Sequence, residues 1–154
     1  MTLSFHVPGP PQPWERATPI AFANWLKGVV RRRPNATVAE MYDAIVKSAF
    51  AMQTTPPRTR DWQGRVGACA QLAMTEQGIE RFPAGVPLLL ELDVCTDQKG
   101  KTAGDASNFQ KSVEDGLNRI AWDDDEQVVR WVGQLVRGCH PENAGVGVRV
   151  GPAS

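Results

Sequence analysis

The sequence predicts an α+β fold, a small mixed sheet with packed helices, and three observations carry that expectation. Segments with strand-like and helix-like apolar spacing follow in the order strand, helix-rich arm, helix, strand, helix, strand, strand. At 154 residues, 42% of them hydrophobic, the chain can bury one ordinary core. No apolar run reaches the roughly 18 residues that a membrane-spanning helix needs. The expected domain is therefore 1–154, with a helical arm inserted at about 21–52.

Residues Thr2 to Val7 alternate loosely and meet Pro8-Gly9-Pro10-Pro11-Gln12-Pro13, which predicts a short strand ending in a stiff loop. Helical spacing follows at 21–30 and 38–52. The second stretch opens on a Thr37-x-x-Glu40 capping box and carries Val38, Met41, Ile45, Ala49 and Met52 on one face. Between the two lies the basic corner Arg31-Arg32-Arg33-Pro34-Asn35. It could touch a DNA backbone, extend a dimer contact or stand solvated.

Thr54 to Arg60 reads as a basic, proline-rich linker, after which Asp61 is expected to cap a helix through about Gln77. Its apolar stripe would be Trp62, Val66, Cys69, Ala70 and Ala73, with Gly64 and Gly67 weakening the first turns. Pro87 to Cys95 predicts a strand with Leu88, Leu90, Leu92 and Val94 on one face and Glu91 and Asp93 on the other.

The next helix is expected from about Asn108 to Ile120, with Ser107 as N-cap and Gln110 completing the box. Phe109, Val113, Leu117 and Ile120 would face the core, and Lys111, Glu114, Asp115 and Asn118 the opposite side. Gln127 to Val136 predicts a strand with Val129, Trp131 and Leu135 on one face. Val146 to Val150 predicts a last strand, paired with it through the Gly138–Gly145 loop.

Lys/Arg and Asp/Glu balance at 17 each, but they segregate. Residues 1–60 carry eight Lys/Arg against three Asp/Glu, and 61–154 carry nine against fourteen. A basic arm beside an acidic body suits a protein that grips phosphates with one part and a metal with the other. Cys69, Cys95 and Cys139 are odd in number and scattered, and the N-terminus has no basic segment leading into an apolar run. Reduced thiols in a cytoplasmic protein are expected. Cys139-His140 is at most half of a metal site.

The chemistry concentrates in two acidic segments. Asp123-Asp124-Asp125 sets three carboxylates side by side, an arrangement that needs solvent or a cation to offset its charge. Upstream, Gly104-Asp105-Ala106-Ser107-Asn108-Phe109-Gln110-Lys111 supplies another Asp and a Lys. Two or three carboxylates suffice for Mg²⁺, and a nearby Lys can steady a phosphate. The alternative is a solvated turn beside a helix cap. The helix between Asp105 and the acidic turn would hold its two ends roughly 18 Å apart.

These residues resemble the signature of the RusA family of Holliday junction resolvases. That signature runs Asp-x-Asp-Asn-x-x-Lys, then Asp-x-Leu at a helix end, then an aromatic residue and Asp-Asp-x-Gln-Val. Here it reads Asp105 to Lys111, Asp115-Gly116-Leu117, Trp122, and Asp124-Asp125-Glu126-Gln127-Val128. Agreement is dense from about Leu88 to Val136 and fair around Thr55 to Arg60 and the helix after it. The resemblance implies a compact α+β homodimer that cuts branched DNA, such as a four-way junction, with Mg²⁺ or Mn²⁺. By motif position Asp105 and Asp125 would hold the metal, Asp124 would supplement it, and Lys111 would face the phosphate. Arg31, Arg32, Arg33, Arg58 and Arg60 would grip the DNA backbone, with Arg16, Lys99 and Lys101 as further candidates.

One position departs from the pattern. Ser107 stands where the family has its second Asp and brings no charge to a cation. Asp93, Asp97 or Asp123 could compensate. The sequence thus admits an endonuclease, a junction-binding protein of the same fold with impaired chemistry, or a small protein-interaction domain.

Overall fold

A computed structural model describes residues 1–15, 27, 28, 30–43, 56–100 and 104–154. The chain divides into two compact units, Glu15–Pro56 and a larger one of Met1–Trp14 with Pro57–Ser154. In the smaller unit, residues 30–32 and 38–43 are helical. The capping box forms there as expected, with Thr37 N donating to Glu40 Oε2 at 2.9 Å and Glu40 N to Thr37 Oγ1 at 3.2 Å. Half of the expected arm at 21–52 lies outside the described residues, as do Arg16 and Lys101.

The larger unit is a four-stranded mixed sheet with two helices on one face. Its strands are β1 (Leu3–Pro8), β2 (Leu88–Thr96), β3 (Val128–Arg137) and β4 (Gly145–Pro152). Its helices are α1 (Pro57–Gln77) and α2 (Ala106–Leu117). Across the sheet the order is β1-β4-β2-β3. β2 and β3 run parallel because α2 is the crossover between them, whereas β4 is antiparallel to both β1 and β2. The expected β3–β4 hairpin does not form. The 138–144 segment instead carries the chain past the end of β2, with Gly138 N bonded to Gln98 O and Cys139 N to Thr96 O. β4 then takes the free edge of the leucine-rich strand, where its valines are buried.

Leu88, Leu90, Leu92 and Val94 are buried together with Trp62 and Val66 of α1 and Phe109, Val113 and Leu117 of α2. Burying such side chains contributes about 1.5–3 kcal/mol each before entropy is counted. α1 begins earlier than expected, at Pro57, so Asp61 lies inside it and is not its cap. A proline has no N–H to lose and a φ already set for the first helical turn. The expected linker from Pro57 to Arg60 is thus the helix's first turn, with Thr59 buried in it.

β3 departs from its expected half-buried pattern. Among the described residues it is an edge strand paired only to β2, and Val129, Trp131, Val132 and Val136 are all exposed. Alternation in a sequence shows which residues share a face, and an edge position decides whether that face is covered.

Candidate active site

α2 builds one half of the site. Its N-cap is Asp105, not Ser107, and the helix starts at Ala106. Asp105 Oδ1 accepts from Asn108 N at 2.9 Å and from Ser107 Oγ at 2.8 Å. A carboxylate at this point satisfies an orphan N–H and meets the positive end of the helix dipole. The Asn108 N–H, then the Ser107 hydroxyl, and more weakly Arg137 hold the Asp105 carboxyl below its ordinary range. Gln110 completes no capping box and donates instead to Glu114 at 2.7 Å.

Before Asp105 the chain turns at Gly104, whose φ is +81°. A β-carbon there would stand 2.7 Å from Pro13 Cβ, so only glycine fits the turn. Trp14 N bonds Asn108 O at 2.9 Å, which ties the loop after β1 to the same helix end. Arg137, the last residue of β3, donates from Nη2 to Gly104 O at 2.6 Å.

The other half is a turn folded back against α2. After Leu117 the chain reverses through Arg119, at φ +65°, and bridges Asn118 to Trp122. Trp122 is fully buried and anchors the reversal. Lys111 Nζ lies 2.8 Å from Asp115 Oδ1 and 3.0 Å from Asp125 Oδ2. Asp125 therefore sits alongside the helix, near a residue only six positions, about 9 Å, along from Asp105. Lys111 holds the Asp125 carboxyl below its ordinary range, and Asp115 first, then Asp125, hold the Lys111 ammonium above its own.

Asp124 caps the short 3-10 turn Asp125–Gln127 and accepts from Glu126 N at 3.0 Å. Asp123 pairs with Arg81. Asp93 points to the face of the sheet opposite α2, where it accepts from Gln134 at 3.1 Å. A groove of about 480 Å³ runs over that same face. Among the described residues no three His, Cys, Asp or Glu side chains form a cluster able to hold a cation. His140 Nδ1 caps its own 3-10 turn, and the neighbouring thiol of Cys95 pushes Cys139 up to about 11.

Arg31, Arg32, Arg33, Arg58, Arg60 and Lys99 are all exposed. Four residues that sequence reasoning left out of the site belong to its surroundings. Asp115 shares Lys111, and their spacing of four along a helix was a legible signal. Glu114, expected on the solvent side, is buried, and that burial raises its carboxyl above the ordinary range. Gln127 binds the acidic turn from beneath, and Arg137 reaches Gly104 from the far end of β3. For Arg137 no local pattern existed to find.

A protein-family model described as "Endodeoxyribonuclease RusA" matches residues 33–150. No curated protein matches the chain.

Proposed function

The chain belongs to the RusA endodeoxyribonuclease family, and from that premise we propose that it is a Mg²⁺-dependent endonuclease resolving Holliday junctions or other branched DNA. The observation that carries the reading is the 3.0 Å contact of Lys111 Nζ with Asp125 Oδ2, which joins the two halves of the split motif. Hard carboxylate oxygens suit Mg²⁺, or Mn²⁺, better than a soft metal. Asp105 and Asp125 would hold the ion, with Asp124 supplementing them. Both hydrogen bonds to the Asp105 side chain fall on Oδ1. When bound, the ion supplies charge neutralisation at the phosphate and makes water a stronger nucleophile.

Lys111 moves between two tasks in this reading. Its ammonium keeps Asp125 ionised, and it turns to the phosphate when a divalent ion takes over the carboxylates. Arg31, Arg32, Arg33, Arg58, Arg60, Lys99 and Lys101 would hold the DNA backbone, so binding falls steeply with salt. Two such chains around a two-fold axis would present paired sites to opposed strands of a junction.

Ser107 supports a second reading, a junction-binding protein with impaired chemistry, because its hydroxyl donates to Asp105 where the family pattern has a carboxylate. A four-way junction and a linear duplex, each with and without Mg²⁺, separate the two. The first reading expects Mg²⁺-dependent paired nicks in the junction, lost by about a hundredfold or more in Asp125→Asn. The second expects selective binding without nicks, with cleavage appearing in Ser107→Asp. Undiminished cleavage by Asp125→Asn would exclude the proposed site.

A further inference from the structure

We propose that Arg137 binds a DNA phosphate beside Asp105, anchored by its hydrogen bond to the Gly104 carbonyl. The inference rests on the nuclease reading and names the cation at the Asp105 end of that site.

A guanidinium carries five N–H donors in a rigid planar fork. Among the described residues the Arg137 side chain makes one hydrogen bond, to Gly104 O at 2.6 Å, and it is exposed. The remaining donors stand at the turn that precedes Asp105. The Gly104 bond restricts the long side chain, which lowers the entropy lost when a phosphate binds. The root of the side chain is fixed as well. Gly138 N bonds Gln98 O at 3.0 Å and Cys139 N bonds Thr96 O at 3.1 Å, which pins the end of β3 to the end of β2. Lys99 adds a second cation on the same ridge, its stem lying over Gly138.

Lys111 is placed differently. Its ammonium is shared between Asp115 and Asp125, so a phosphate must compete with two carboxylates for it. Among the described residues Arg137 has no carboxylate at ion-pair distance, and Asp105 feels it only weakly. An arginine held this way offers bidentate phosphate recognition that a lysine does not match.

The test is junction affinity over a range of NaCl, measured in EDTA so that nothing is cut, for wild type, Arg137→Lys and Arg137→Ala. Melting temperatures check that each variant folds. Arg137→Ala is expected to bind about tenfold more weakly at low salt, and the slope of log K against log salt should fall by about one. Arg137→Lys should keep the wild-type slope and recover part of the affinity. If the Arg137→Ala slope equals that of wild type, Arg137 makes no phosphate contact and the inference is overturned, even if cleavage has slowed. A wild-type protein that neither prefers nor cuts junctions would overturn the nuclease reading itself, so the two failures are distinguishable.

Discussion

Four hydrogen bonds converge on the buried amide of Gln127. Its oxygen accepts from Asp123 N at 3.0 Å and Asp124 N at 3.4 Å, and its nitrogen donates to Pro83 O at 2.9 Å and Val86 O at 3.3 Å. Three adjacent carboxylates repel one another, and this amide supplies part of what holds their backbone in place. Gln127→Leu keeps the volume and leaves buried donors and acceptors unpaired. It is expected to lower stability by about 3 kcal/mol in denaturant unfolding and to abolish junction cleavage. The same scale explains the misplaced cap on α2. Asp105 and Ser107 are both good capping residues two positions apart, and local sequence cannot rank them. The turn at Gly104, pressed against Pro13, starts the helix early enough for Asp105 to win.

At the scale of elements, α1 and α2 touch through glycines. A β-carbon on Gly116 would stand 2.9 Å from Gln63 O and from Val66 Cβ, and one on Gly67 would stand 3.1 Å from Gly116 O. Backbone on two helices is hard to move, so Gly116→Ala must push α2 off α1. It should cost about 2 kcal/mol, or roughly 4–8 °C in melting temperature. Because α2 carries Asp105, Lys111 and Asp115, cleavage should weaken beyond what the loss of folded protein explains. The glycines that lowered the sequence-level expectation for α1 include the one that makes this close approach. A second device of this kind lies at the sheet edge, where Gln77 donates to Ser4 O at 2.6 Å and accepts from Ser4 N at 3.3 Å. A side-chain amide there occupies β1's unpaired backbone, a pairing that spacing along the chain does not reveal.

For the whole molecule, the charged groups set how stability varies with pH. Asp125 is depressed below its ordinary 3.8, so its contribution is present above that value and fades as pH falls through the folded one. Lys111 is raised above 10.5, so its contribution is present below 10.5 and fades as pH rises through the folded value. Both side chains are more than a third exposed, and their pair is worth under about 1 kcal/mol. Glu114 acts in the opposite sense to Asp125. Burial raises it above 4.5, so the folded state favours its protonated form, and ionising it at neutral pH costs stability. Glu114→Gln should therefore raise the melting temperature at pH 7, and the gain should shrink as pH falls through the raised folded value and be gone below 4.5. A gain that persisted unchanged in acid would point to packing instead of charge. By itself the sequence determined the strands and helices of the larger unit, most of the buried faces of α1, β2 and α2, and the motif that marks the family, because these are written in local spacing and residue type. Only the tertiary structure decided the β4 register, the exposure of β3, the fold-back that sets Asp125 beside Lys111, and the reach of Arg137 to Gly104. Those depend on which distant segments share an edge or a turn, and no short window of sequence carries that information.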